Sequence, residues 1–308
     1  MPELPEVETI RRQLVGVLVG RRITEAWAFD ADNFAEATAA IGSSITAVSR
    51  RGKYLLMALA DTAGNTGKGT ARSGERELVV HLGMTGRLAV TPFGDSTASS
   101  DSTASSDSTA SSDSTANSAE HLRAWWALEP PGGPPGSTPL ERLCLWDIRR
   151  FGRVAVVPAG RYDDLPTLAA MGPEPLSADF TGAALRGALS GRKALKTALL
   201  DQRAVAGVGN IYADEALWSA GISPLVRRLS LDRANVLRDA LVEVLDAAID
   251  NGGTTLRDYR DASGETGSHQ FRLQCYGRGG QPCLRCGTPL SQRVLDGRNT
   301  TWCRICQR

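Results

Sequence analysis

Cys283, Cys286, Cys303 and Cys306 constrain this chain more than any other residues: they form two C-x-x-C pairs, sixteen residues apart, near its end. Each pair can present two thiolates to one ion. Four sulfur ligands close a tetrahedral shell with no open position, so the spacing implies one structural zinc ion rather than a catalytic one. Gly287, Pro289, Asp296 and Gly297 mark turns between the pairs and predict a β-hairpin clamped at its base by the metal. Cys144 and Cys275 fall outside the pattern and read as ordinary buried thiols. Cysteines used in this way suit a reducing compartment better than a disulfide framework.

The rest of the chain falls into segments with different periodicities. Val7, Ile10, Leu14 and Val17 recur at helical intervals behind Pro5, Glu6 and Glu8, which predicts an amphipathic first helix. Short β-type runs follow at Tyr54–Leu59, Glu77–Leu82, Arg87–Thr91, Leu122–Leu128, Leu143–Ile148 and Arg153–Val157, spaced as in a sandwich or barrel. Beyond Pro175 the pattern turns helical. Its clearest helix has Ser230 as N-cap, an apolar face of Leu231, Leu237, Leu241, Val244, Leu245 and Ala248, and a stop at Asn251, Gly252 and Gly253. A hexad, Asp-Ser-Thr-Ala-Ser-Ser, repeats from Asp95 through Asp101, Asp107 and Asp113. Without large apolar side chains it cannot offset its ordering entropy, so a disordered insertion is expected at about 94–119. Breaker-rich loops are expected at 61–74 and 130–139.

The expected architecture is therefore α+β and multidomain: an N-terminal β-sandwich with flanking helices at 1–160, a helical domain at 161–262, and a loop with a zinc-binding hairpin at 263–308. The start shows no basic stretch followed by an apolar one, and no apolar run is long enough to span a bilayer, so a cytoplasmic protein without a membrane partner is expected.

The formal net charge of +1 conceals a polarity: residues 1–183 hold 17 basic and 22 acidic side chains, residues 184–308 hold 18 and 12. From Ala262 onward seven arginines stand against Glu265 and Asp296 alone. Such a footprint fits phosphate binding, as it would a solvated basic surface. Other classes drop out. The Pro282-Cys283 string is shared with zinc deaminases, but none of His81, His121 or His269 is followed two residues later by Glu. Gly207 and Gly209 are followed by Tyr212 where a dinucleotide loop needs glycine, and Gly67-Lys68-Gly69 lacks the hydroxyl of a phosphate loop.

Removal of an initiator methionine before a small residue would expose the secondary amine of Pro2. A terminal amine with a pKa near ~8 loses its proton far more readily than a lysine near ~10, and only the free base is a nucleophile. Glu3 and Glu6 stand close enough in sequence to supply acid–base chemistry beside it. Taken alone, Pro and Glu early in a chain are most often just the start of a helix.

The segment Met1-Pro2-Glu3-Leu4-Pro5-Glu6-Val7-Glu8, together with the zinc hairpin, resembles the bacterial formamidopyrimidine-DNA glycosylases. The resemblance continues in order through Arg50-Arg51-Gly52-Lys53-Tyr54-Leu55, His81-Leu82-Gly83-Met84-Thr85-Gly86, Arg149-Arg150-Phe151-Gly152, Leu199-Leu200-Asp201-Gln202, Gly207-Val208-Gly209-Asn210-Ile211-Tyr212 and Tyr276-Gly277-Arg278. It spans nearly the whole chain except the three loops. The resemblance implies a bifunctional enzyme of base excision repair that removes oxidised purines from duplex DNA. Pro2 would attack C1′, expel the base and form a Schiff base, and β,δ-elimination would then cut the strand. Glu3 is implied as acid–base partner, Lys53 as a contact to the lesion and its phosphate, and Arg298 as the phosphate-gripping arginine of the second elimination.

An everted base leaves a hole, and the resemblance fills it with Met84, Arg149 and Phe151. Met and Phe supply apolar bulk, while Arg can hydrogen-bond the orphaned partner. Asn210, at the start of a helix in a helix-two-turn-helix element, is implied to bind phosphate together with exposed helix N–H groups. Lys196, Glu6 and His121 are implied as further DNA contacts. A monomer acting on damaged double-stranded DNA, in the bacterial cytoplasm near the nucleoid, is the corresponding expectation. The loop expected over the everted base reads Gly264 to Phe271 and carries His269 where relatives commonly have an aromatic residue. Two other readings compete: an endonuclease VIII-like glycosylase for oxidised pyrimidines, disfavoured by Leu4-Pro5-Glu6, and a zinc-finger damage binder without catalysis.

Overall fold

The computed structural model describes residues 2–61, 75–93, 119–134, 136–189 and 191–308. Residues 94–118 of the expected disordered insertion lie outside them, as does 62–74 of the first breaker-rich loop.

Helix α1 (Leu4–Leu18) begins where expected, with Pro5 in its first turn and Glu3 at the N-cap. Glu6 reaches back to accept the Glu3 backbone N–H at 2.7 Å, satisfying a donor the helix itself leaves over. The buried stripe is Leu4, Val7, Ile10, Leu14 and Leu18. Val17, expected on it, is 41% exposed. From Leu14 the step of four leads to Leu18, so Val17 falls about 100° off the face.

Strands β1 (Ile23–Ala28), β2 (Ser43–Arg51), β3 (Tyr54–Asp61), β4 (Arg76–His81), β5 (Gly86–Pro92), β6 (Leu122–Leu128), β7 (Glu141–Asp147) and β8 (Arg153–Pro158) build two antiparallel four-stranded sheets. Their orders are β1-β6-β7-β5 and β2-β3-β4-β8. The expected runs recur as β3 to β8. Strands β1 and β2 carry no clear sequence pattern because their faces are mixed: in β1 Ile23 alone is buried. Leu55, Met57, Leu78, Val80, Leu88, Trp126 and Leu145 meet between the sheets, and α1 closes the core with Val7, Ile10 and Leu14. The chain crosses between the sheets twice at one end, at Leu82–Thr85 and at Ile148–Gly152, so these two turns lie side by side.

The helical part comprises α2 (Pro166–Ala169), α3 (Gly182–Ala188), α4 (Leu195–Leu200), α5 (Asn210–Ser219) and α6 (Leu231–Asp250). Ser230 caps α6 by accepting the Arg233 N–H, and Gly252 and Gly253, with φ of 69° and 82°, end it as expected. Leu231, expected in its core face, is 43% exposed in the first turn, and Val244 is half-buried. Ala234, Leu237, Leu241, Leu245 and Ala248 pack inward against Tyr212, Ala216 and Leu217 of α5. The two turns between α4 and α5 are held by Gln202. Its amide donates to the Val208 carbonyl at 2.7 Å and accepts the Gly207 N–H at 2.9 Å. A last hairpin, β9 (Ser291–Leu295) and β10 (Arg298–Trp302), turns at Asp296 and Gly297, whose positive φ values of 46° and 76° match a type I′ turn. Among the described residues no helix is long and apolar enough to cross a membrane.

The sheets and the helices are joined by ions. Arg50 bridges Glu8 of α1 at 3.1 Å and Glu174 of the connecting segment at 2.8 Å. Arg51 donates to the Met171 and Gly172 carbonyls. Burial alone would raise the Glu8 carboxyl, but hydrogen bonds and charge from Arg11, Arg50 and Arg12 outweigh it and hold the group at about 2. Because the folded value lies below the ordinary 4.5, this stabilisation is present above pH 4.5 and is lost as pH falls toward 2. Glu8→Gln is therefore expected to cost roughly 1–3 kcal/mol in urea unfolding at pH 7. The gap to the parent should close as the titration is repeated at progressively lower pH; a gap independent of pH would refute the ion-pair account.

Candidate active site

A cavity of about 200 Å³ opens where the sheets, the helical part and the last hairpin meet. Glu3, Lys53, Met84, Asn210 and Arg298 all line it, brought together from five separate segments, with Tyr276 and Leu256 beside them. Pro2, itself buried, lies one residue before Glu3.

Glu3 is fixed by the far domain. Its carboxylate accepts the Ile211 N–H at 3.0 Å and the Tyr212 N–H at 3.4 Å, at the N-terminus of α5. A Cβ on Gly209 would come within 2.2 Å of the Glu3 carboxyl carbon, so only glycine lets the two approach. The adjoining Gly207 carbonyl accepts the Leu4 N–H at 3.1 Å. This corrects one expectation: the N–H groups of Ile211 and Tyr212 are taken by Glu3, so the start of α5 offers the cavity Asn210 itself.

Lys53 sits in the turn from β2 to β3. Burial lowers its pKa, opposed by the charges of Glu3 and Glu6 and reinforced by Arg298. Glu6 is placed differently from expectation. Its carboxylate lies beneath the cavity, accepting from the Glu3 and Thr254 N–H groups, each at 2.7 Å, and from the Tyr212 hydroxyl. Burial, then the nearby Glu3 charge, raises its pKa. Enclosed by protein donors, it supports the site from within and has no open side for DNA.

A second cavity of about 280 Å³ adjoins the first through Met84, Ile211, Leu256 and Tyr276, and adds Arg149, Thr254 and Tyr259. Met84 rides on the Leu82–Thr85 turn, and Arg149 and Phe151 on the turn beside it. The Arg149 guanidinium stacks 4.8 Å from the Phe151 ring, and Phe151 is 55% exposed. An apolar ring held outward in this way is no core residue. His121 ends a short 3-10 turn immediately before β6, at the same end of the sheet, since Leu122 pairs with Trp146.

Lys196 does not face outward. Only 1% exposed, it pairs with Asp214 at 2.7 Å and donates to the Asn299 carbonyl at 2.8 Å. Asp214 in turn accepts the Thr301 N–H at 3.0 Å. The lysine expected to touch DNA instead ties α4 to α5 and β10, one residue from Arg298. Glu215 strengthens the same joint by accepting the N–H groups of Gln274, Cys275 and Tyr276. Nothing in the sequence separated Lys196 from a surface lysine, because its partner Asp214 is eighteen residues away on another helix.

The sulfurs of Cys283, Cys286, Cys303 and Cys306 all lie within 4.8 Å of one another, with 3.5 Å from Cys286 to Cys303 and 4.0 Å from Cys283 to Cys306. Tetrahedral zinc with ~2.3 Å bonds needs sulfurs about 3.8 Å apart, so the donor set fits one structural ion. Cys144 is buried far from it in the sheet domain, whereas Cys275, also buried, packs beside Cys283 and Cys303 with its thiol on the Thr301 carbonyl at 3.0 Å. In the expected lesion loop, His269 is 6% exposed and turned inward, its ring 6.0 Å from that of Tyr212 and its backbone N–H on the Gly253 carbonyl. Tyr276, Tyr212 and Thr254 were missed as site residues, although the first two stand inside the Tyr276-Gly277-Arg278 and Gly207-Val208-Gly209-Asn210-Ile211-Tyr212 motifs.

Family profiles match the chain in three consecutive parts: the formamidopyrimidine-DNA glycosylase N-terminal domain at residues 1–154, the corresponding H2TH domain at 171–260, and a zinc finger found in FPG and IleRS at 280–308. That succession around one cleft defines a class of helix-two-turn-helix DNA glycosylases carrying a zinc finger. The formamidopyrimidine-DNA glycosylase of Deinococcus radiodurans is 42% identical over 100% of this chain and 97% of its own length. The crystal structure of the MutM (Fpg) protein from Thermus thermophilus superposes with a TM-score of 0.77 at 40% identity, covering 99% of this chain and 98% of that one. A Lactococcus lactis Fpg variant in complex with Fapy-dG-containing DNA gives 0.76 at 30% identity, over 100% of both chains. The chain belongs to the formamidopyrimidine-DNA glycosylase family.

Elemental analysis is expected to find one zinc per chain. Because the hairpin that carries Arg298 is anchored by those sulfurs, Cys286→Ser should lower both zinc content and DNA affinity; full occupancy with unchanged affinity would refute the assignment.

Proposed function

We propose that this protein excises oxidised purines, 8-oxoguanine and formamidopyrimidines, from duplex DNA and then cuts the strand at the emptied sugar. The observation that carries the reading is the convergence of Glu3, Lys53 and Arg298 on one cavity, immediately beside Met84 and Arg149. The Lactococcus relative bound to Fapy-dG DNA supports the substrate class.

With Met1 removed, the Pro2 nitrogen adds its lone pair to C1′ while the glycosidic bond breaks and the base leaves with its electrons, taking up a proton. Cleavage of the C1′–O4′ bond, with its electron pair and the proton shed by the Pro2 nitrogen passing to O4′, gives an iminium on Pro2. Removal of a C2′ proton then expels the 3′ phosphate, and a second elimination expels the 5′ phosphate. Glu3, one residue from the nucleophile, is the group placed to move protons here, and its hold on α5 fixes its carboxylate in the cavity. Lys53 and Arg298 supply positive charge against the phosphates that leave. Zinc, held by its four cysteines, serves to fix the hairpin bearing Arg298 and takes no part in the chemistry. A single chain supplies every group, which fits a monomer, and a bacterial cytoplasm at the nucleoid is the corresponding site of action.

Borohydride trapping on duplex DNA with one 8-oxoguanine opposite cytosine tests the reading. A covalent adduct is expected with a free Pro2 and none when an extra residue blocks it. Glu3→Gln should lower excision by on the order of 10²-fold or more. Tight binding to the lesion without adduct would indicate a damage reader, and faster release of thymine glycol than of 8-oxoguanine would refute the purine preference.

A further inference from the structure

Met84 stands on one crossover between the sheets, and Arg149 and Phe151 on the other. Side chains meant to enter the same gap in DNA must keep a fixed spacing, yet no regular hydrogen-bond ladder joins these two turns. Asp147, the last residue of β7 and fully buried, lies between them. One carboxylate oxygen accepts the Thr85 hydroxyl at 2.5 Å and the Arg149 N–H at 3.3 Å, and the other accepts the Gly152 N–H at 2.6 Å. The Thr85 hydroxyl oxygen also accepts the Arg149 N–H, at 3.0 Å. One carboxylate therefore grips the neighbour of Met84, the backbone of Arg149 and the neighbour of Phe151.

The turns also meet without slack. A Cβ on Gly83 would lie 2.5 Å from the Gly152 nitrogen, and one on Gly152 would lie 3.0 Å from the Asp147 carboxylate. Between the gripped positions Arg150 takes a φ of 57°, a conformation that costs a side-chain-bearing residue energy and persists only when its surroundings impose it. Hydrogen bonds to a buried carboxylate are strong enough to do so.

We propose that Asp147 is a positioning residue for opposite-base reading: it fixes Met84, Arg149 and Phe151 as one unit, so that the base left without a partner is met by Arg149 in a set register. The inference rests on the reading that these three side chains fill the gap left by an everted nucleotide. Asp147→Asn replaces one acceptor by an NH2 group, setting a donor against the N–H or O–H donors on one of the two turns. Thr85→Val removes one link and leaves the buried carboxylate in place.

The test uses the full-length protein and both variants. Fluorescence of 2-aminopurine placed opposite a tetrahydrofuran abasic analogue reports stacking on the orphaned base without needing catalysis. Excision of 8-oxoguanine opposite cytosine and opposite adenine reports discrimination. For Asp147→Asn the change in 2-aminopurine emission on binding should fall at least twofold and the cytosine-over-adenine ratio at least fivefold; Thr85→Val should move both in the same direction by about half as much. Equal loss of excision opposite both bases, with parent-like 2-aminopurine emission, would reduce Asp147 to scaffolding and overturn the proposal. If the parent excises 8-oxoguanine from neither duplex, the repair reading fails and the emission comparison still decides the role of Asp147. If Asp147→Asn does not fold, Thr85→Val decides by the same two readouts.

Discussion

A carboxylate at a helix N-terminus is an ordinary stabilising arrangement, because the first N–H groups of a helix lack partners within it. Here the carboxylate and the helix belong to different parts of the molecule. Glu3 comes from the first residues of the sheet domain, and the N–H groups of Ile211 and Tyr212 from the start of α5. The same contact fixes the residue beside Pro2 and seats the helical part on the sheets. Around it Gly207 and Gly209 are stripped of side chains, and Glu6, Tyr212 and Thr254 form a hydrogen-bonded floor. The cavity is thus a property of the domain junction and of neither domain alone.

Two further carboxylates, the half-buried Glu174 and the buried Asp214, extend the same use of charge. Glu174 takes donors from Arg50, Arg51 and Gly52 and so steadies the turn that presents Lys53. Asp214, with Lys196, steadies the strand that presents Arg298. Lys53 and Arg298 are thus each held through an acid on another element, whereas Glu3 is held by the N–H groups of α5. Such pairs add little net stability once desolvation is counted, but they penalise alternative arrangements, since either partner left alone in the interior is costly.

Much of this was readable from the residues. Helix α1, the order of the parts, six of the eight sheet strands, the Ser230 cap and the metal-binding cysteines follow from local pattern, because caps, turns and ligand spacing act over a few residues. Five of the residues expected in the site do converge. The errors share a cause. Val17 and Leu231 fit an apolar periodicity, but which way a helix end faces is decided by what packs on it. Glu6 and Lys196 were expected to meet DNA because the resemblance implied it, yet both are buried. Their burial depends on Tyr212, Thr254 and Asp214, partners remote in sequence. Asp147 carried no signal at all, since an acid at a strand end looks like a turn residue until the neighbouring crossover is seen.

The cap on α5 also limits how this chain can vary over evolutionary time. Inter-domain interfaces within one chain are usually modest and polar, and leave the domains free to move against each other. Here a shift of α5 by a single residue would carry the donating N–H groups of Ile211 and Tyr212 about 1.5 Å along the axis, and the Glu3 carboxylate would lose them. A chimaera whose helical half set α5 one residue out would assemble a correct fold around a misaligned first residue.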